Sequence, residues 1–110
     1  MFKDVFFTPI LINDFSDILK NLIKKNIKGI FNVSGKERIS KYKFAVKLAK
    51  IFKFRSNLIK EISIKEVKLT RRPLDMSLDI TKLKKKNSNK TQVNKSVIKI
   101  FKKNYKLKLL

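Results

Sequence analysis

Cysteine and histidine are absent from the 110 residues, and with them go disulfides, thiolate nucleophiles, imidazole bases and the ligands of every common zinc site. Metal chemistry is not expected. Glycine occurs only as Gly29 and Gly35, and proline only as Pro9 and Pro73. A loop of three closely spaced glycines that lets backbone approach a phosphate therefore has no place in this sequence. Acidic residues are scarce, eight against 29 Lys and Arg, which leaves a net charge of +21. Lys or Arg interrupts every apolar segment before it reaches the ~20 residues that a membrane helix requires. No membrane partner is expected. With no basic leader ahead of a long apolar run and a small-residue cleavage site, the sequence reads as cytoplasmic.

What is present can build a core. Apolar residues make up 43% of the chain and include nine Phe, which is not the composition of a disordered polymer. The length suits one small domain, able to bury roughly two-thirds of its unfolded surface. The net charge invites a nucleic-acid reading, because a basic surface binds phosphate by releasing its counterions. Yet Arg38, Arg55, Arg71 and Arg72 are the only arginines, and base recognition favours the bidentate fork of Arg over the point charge of Lys. A Lys, Ile, Asn and Phe bias, as AT-rich coding sequence produces at tolerant surface positions, accounts for the charge with no specific nucleic-acid partner.

Residues 5 to 12 form a β-prone run, with Pro9 suited to its beginning or an edge, and a buried strand is expected over Ile10 to Ile12. Asn13 or Asp14 then caps a helix whose stripe is Phe15, Ile18, Leu19, Leu22 and Ile23, ending near Asn26 to Gly29. A second β-prone run, Ile30 to Ser34, ends at a turn at Gly35. Ser40 caps a second helix reaching about Lys53, with Phe44, Ala45, Leu48, Ala49, Ile51 and Phe52 on its apolar face. Residues 58 to 67 read as loop with room for one short strand or turn. Pro73 disfavours helical geometry at Arg72, and Leu74 to Asp79 reads as extended. Asp79 or Thr81 starts a turn of helix through Leu83. Val93, Val97, Ile100 and Phe101 suggest a last basic helix.

Four segments in order carry a resemblance to a known family. Phe7-Thr8-Pro9 leading into Asn13-Asp14-Phe15 resembles the Thr-Pro strand and Asp-led helix of extended short-chain dehydrogenases. Gly29 to Gly35 is similar to their Gly-x-Tyr/Phe-Asn/His-Val-x-Gly strand and turn, and Glu37 to Ala45 to their following helix start. Arg72-Pro73-Leu74-Asp75-Met76-Ser77-Leu78-Asp79-Ile80-Thr81-Lys82-Leu83 resembles the Arg-Pro-x-x-x-Ser-x-Leu-Asp-x-x-Lys-Leu segment of the dTDP-4-dehydrorhamnose reductase branch. Related nucleotide-sugar epimerases carry Arg-x-Gly-Asp at this place; here Leu74 stands at the Gly.

The resemblance implies an α/β fold, the C-terminal part of a Rossmann-type enzyme with short parallel strands and flanking helices. Residues 1–86 would form the nucleotide-sugar-binding region, and 87–110 a basic linker and final helix. Arg72 is the implied contact to the substrate diphosphate, the plain alternative being a solvated Arg before a turn. Thr8 and Pro9 would shape the cleft at a strand end, where ligands of open α/β sheets collect; a turn into a strand is the alternative. The family's cofactor is NAD or NADP, for which this chain lacks the glycine fingerprint. It also lacks the catalytic Tyr-x-x-x-Lys pair: Tyr42 is followed four residues later by Val46, and Tyr105 by Leu109. The expectation is a substrate-binding portion of an NAD(P)-dependent nucleotide-sugar reductase, inactive alone, whose partner supplies the Rossmann half or is a related subunit. A non-catalytic regulatory or interaction module of the same superfamily is the second reading, and a basic nucleic-acid-binding protein the third.

Overall fold

A computed structural model describes residues 1–86 and Lys103. The helix expected through Val93, Val97, Ile100 and Phe101 lies outside the described residues. In chain order the elements are β1 (Phe6–Phe7), α1 (Ile12–Lys24), β2 (Ile39–Ser40), α2 (Lys41–Ile51), β3 (Asp75–Met76) and α3 (Thr81–Lys86), with 3₁₀ turns at Ser56–Leu58 and Ile64–Glu66 between α2 and β3.

The strands form one sheet in the order β2-β1-β3. β1 runs antiparallel to β2, pairing Phe6 with Ser40 and Phe7 with Ile39, and parallel to β3, pairing Phe6 with Asp75 and Phe7 with Met76. The fold is a small mixed α/β domain, and the expectation of parallel strands alone is corrected by the β1–β2 pair. β3 falls inside the extended piece expected over Leu74 to Asp79, but the strands expected at 10 to 12 and 30 to 34 are not formed there. At residues 10 to 12 the chain is already entering a helix, because the β-prone run uses its residues before Pro9, whose missing N–H ends the ladder. At 30 to 33 no ladder forms. Ile30 is 88% exposed, while Phe31 and Val33 turn inward against the core without strand partners.

α1 follows its apolar periodicity, yet its N-cap is Leu11, which makes no side-chain capping bond. Asn13 and Asp14 fall inside the first turn, where the buried Asp14 places negative charge at the positive end of the helix. The C-terminus closes on Asn26, held at φ 51°. The Ile27 N–H donates to the Leu22 carbonyl and the Asn26 N–H to that of Ile23, both around 3 Å, which is a Schellman closure with Asn in place of Gly. α2 begins as expected, with the Ser40 hydroxyl accepting from the Lys43 N–H at 3.2 Å. It ends in the same closure: Lys53 takes φ 56° and the Phe54 N–H donates to the Ala49 carbonyl at 2.8 Å.

The first five residues stitch the middle of the chain together. The Phe2 and Val5 carbonyls accept from Tyr42 and Lys41 at the start of α2, and Lys3 and Met1 exchange backbone bonds with Ile62. The Asp4 carboxylate accepts from the Ser63 hydroxyl and the Ile64 N–H, capping the second 3₁₀ turn. A separate core lies under α1 and α3, where Ile18, Ile80 and Leu83 are buried and Ile10, Leu22, Phe31 and Val33 pack around them. Ile10 joins that core as a loop residue between β1 and α1 instead of as a strand residue.

Candidate functional site

β1 and β3 set the geometry of the site because they bring together segments about seventy residues apart in sequence. The Phe6 N–H donates to the Leu74 carbonyl at 2.8 Å, and beyond the strands the Leu78 N–H donates to Thr8 Oγ1 at 3.2 Å. The Pro9 carbonyl then faces Gly35 so closely that a Cβ built on that glycine would stand 1.9 Å from the carbonyl oxygen. Thr8 and Pro9 thus sit where β1 ends, tied on one side to the segment after β3 and on the other to the segment before β2.

Arg72 lies elsewhere. It precedes β3, whereas Thr8 follows β1, and in a parallel pair those positions mark opposite ends. Its side chain is exposed and makes no hydrogen bond or ion pair with the described residues. Arg71 is also exposed. The two parts of the expected site are therefore not gathered into one cluster: Thr8 and Pro9 are built into the backbone network, and Arg72 stands clear of it.

Between these ends the structure assembles a constellation that spacing in the sequence does not display. Arg38, just before β2, crosses the sheet to Asp75 on β3, with Nη2 2.9 Å and Nε 3.0 Å from Oδ2. On the way its guanidinium lies over the Phe6 ring of β1, 3.8 Å from the centroid, close enough for cation–π attraction. The signal that could have found it is the residue type alone, an Arg and an Asp next to β-prone pairs. Their register needed the strand order β2-β1-β3.

No protein-family model and no curated protein sequence matches this chain.

The Asp75 carboxyl is held down to about 2 from its ordinary 3.8 by the nearby Ser77 hydroxyl, the Arg38 guanidinium and the Ser77 backbone N–H. The Ser77 Oγ makes no hydrogen bond of its own with the described residues, so the bonds that hold the carboxylate are those from Arg38 and the Ser77 N–H. Between those values an unfolded chain takes up a proton that the folded chain refuses, so stability rises with pH. The contribution of Asp75 is complete above 3.8 and is lost as pH falls through about 2. Asp75→Asn is expected to flatten the fall of melting temperature across that acid window in a series of thermal melts. A residual slope remains, because Asp4, bonded by Ser63 and Ile64, and Asp79, bonded by Thr81, are lowered in the same direction. A melting-temperature profile identical to that of the native chain would show that the Arg38–Asp75 pair does not form in solution.

Asp79 does backbone work: its Oδ1 accepts from the Thr81 N–H at 2.9 Å and the Thr81 hydroxyl at 2.6 Å, opening α3. Among the described residues no group of three or more His, Cys, Asp or Glu could hold a metal ion, and no helix is long and apolar enough to cross a membrane.

Proposed function

We propose that this chain is the substrate-binding portion of an NAD(P)-dependent nucleotide-sugar reductase similar to dTDP-4-dehydrorhamnose reductase, acting together with a Rossmann-type partner that supplies the cofactor. The observation that supports this reading best is the bond between Thr8 and Leu78. It joins the Thr-Pro segment to the Arg-Pro-x-x-x-Ser segment, the first and the last of the four stretches that carry the resemblance. A nucleotide-sugar is elongated, with a diphosphate between its base and its sugar. Arg72, exposed and without a partner among the described residues, offers the diphosphate a charge-assisted and bidentate contact. Thr8 and Pro9 address a different part of the same ligand from the far end of the strand pair. The chain itself performs no hydride transfer, since it has neither the glycine turn for the cofactor nor a Tyr paired with a Lys four residues on.

The test is titration of dTDP-glucose into the chain coexpressed with a cofactor-binding half from the same genome, followed by calorimetry. Binding is expected in the complex, and Arg72→Ala is expected to weaken it by about 10- to 100-fold, the worth of a hydrogen bond to a charged group. NADPH oxidation by the chain alone is expected to stay at background. Turnover by the isolated chain, or a complex that ignores the nucleotide-sugar, defeats the proposal.

An interaction module of the same superfamily is the second reading, favoured by α1. Its outward stripe of Ile12, Phe15, Leu19 and Ile23 is exposed, and an apolar helix face of that kind marks a surface made to be covered. Stable partner binding with no nucleotide-sugar affinity distinguishes it.

A further inference from the structure

On the α2 side of the molecule, an apolar groove of 660 Å³ opens between the second half of that helix and the 3₁₀ turn at Ser56–Leu58. Ala45, Leu48, Phe52, Phe54, Leu58 and Ile59 form its walls, and its charged members are Lys53 and Arg55. None of the residues lining it is Thr8, Pro9 or Arg72. The helix closure at Lys53 builds the groove: the left-handed turn at φ 56° sends Phe54 back to stack on Phe52, with ring centroids 5.7 Å apart. That turn costs a non-glycine residue about 1–2 kcal/mol. What it holds in place is an aromatic ring 70% exposed, beside a Leu58 that is 75% exposed. The turn itself is the same helix ending as at Asn26; it is the exposed apolar cluster beside it that marks a surface made to be covered.

The charge around the groove states what covers it. Of the residues that line it only Lys53 and Arg55 are charged, and both are cations. Lys47 is answered by Glu37 at 2.6 Å, and the groove's own lining supplies no carboxylate. A second copy of the chain is a poor occupant, since two molecules of net charge +21 repel. A small ligand is poorly suited as well: such sites enclose most of the ligand and fix it with converging polar groups, whereas these walls are open to solvent.

We propose that the groove is a docking site for an acidic amphipathic helix of a partner protein. The partner's apolar stripe fills the space between α2 and the 3₁₀ turn, in the manner of helix-in-groove recognition, and its flanking carboxylates meet Lys53 and Arg55. This is a separate surface from the nucleotide-sugar contacts, and it stands or falls independently of them.

The test uses the full chain and a fluorescent peptide with Leu at alternating three- and four-residue spacing and Glu between, read by anisotropy. The native chain is expected to bind it, and a scrambled peptide of the same composition is expected to bind at least about tenfold more weakly. Leu58→Glu and Phe54→Glu are each expected to weaken binding by at least about tenfold; Leu58→Glu should leave the thermal melt unchanged, because that side chain is 75% exposed. Arg55→Glu is expected to weaken it at low salt more than at high salt. Equal binding of the scrambled peptide, indifference to Leu58→Glu, or displacement of the peptide by dodecanoate would each overturn the proposal in favour of bulk charge, another surface or a lipid site.

Discussion

Gly35→Ala is expected to unfold the protein or bring it close to unfolding. The cause is steric and local. A methyl at residue 35 would stand 1.9 Å from the Pro9 carbonyl oxygen and 3.0 Å from its carbon, distances at which atoms cannot coexist. The obstacle is backbone, so no side-chain rotation relieves it. Gly35 is buried, and the Pro9 segment is pinned by β1 before it, by the Thr8–Leu78 bond and by Ile10 in the core after it. Relief therefore requires moving β1 away from the segment that leads to β2. Overpacking a rigid site typically costs about 1–3 kcal/mol and occasionally more, and backbone on both sides puts this case at the top of that range. Gly29→Ala supplies the comparison. Its φ of 124° strains any other residue, but the nearest atom to the new methyl is a Phe31 ring carbon at 3.5 Å, leaving only a conformational cost of about 1–3 kcal/mol. Thermal melts of the two variants should show the larger loss at residue 35. A melting temperature for Gly35→Ala within a few degrees of native would mean that the Pro9–Gly35 approach is absent in solution.

That approach illustrates which parts of the fold the sequence revealed. Both long helices were legible, because an apolar stripe at helical spacing is a local property: α1 and α2 appear within a few residues of their expected bounds. So was the Ser40 cap, whose partner lies three residues away. Of the strands only β3 was, inside the extended stretch from Leu74 to Asp79. A two-residue strand has no period to detect, and the pairs Phe6–Phe7, Ile39–Ser40 and Asp75–Met76 are defined only by one another. The same holds for the site. Thr8 and Arg72 were singled out by the motifs that contain them, but nothing local says that Thr8 accepts a bond from Leu78 or that Arg72 stands at the other end of the strand pair. Arg38, Phe6 and Asp75 escaped notice because cation, ring and carboxylate come from three separate strands or their flanks. The N-cap of α1 misled for a different reason. Asn13 and Asp14 are good capping types, yet the helix starts earlier, which lets Ile18 reach the core while Asp14 lies near the first turn's free N–H groups.

Leu83→Ala is expected to remove most of the cooperative unfolding transition. Tertiary contacts attach α3 to the rest of the fold from its first turn onward. Its last turn adds Lys84, Lys85 and Lys86, which suit the helix dipole but repel one another. The Asp79 bonds to Thr81 start the helix, and Lys82 tethers it to the Ile30 carbonyl at 2.8 Å and to the Phe31 ring. Leu83 carries the apolar part of the attachment: it is fully buried against Ile18 and Ile80. Among the described residues the other buried apolar side chains are Val5, Ile39 and Ala49, so this trio is a large share of the core. Truncating a buried Leu to Ala costs about 2–5 kcal/mol, against a total of about 5–15 kcal/mol for ordinary domains. A domain with so few buried side chains belongs at the low end of that total. Urea titration should show the midpoint of Leu83→Ala collapsing toward zero, with amide protection lost first in α3 and then in α1 as Ile18 becomes wetted. Leu58→Ala, which removes an exposed side chain, should shift the midpoint by no more than the ~0.5 kcal/mol typical of surface changes. A loss below about 1 kcal/mol for Leu83→Ala would show that α3 is not docked on α1, and that residues 80 to 86 belong to no core the chain forms by itself.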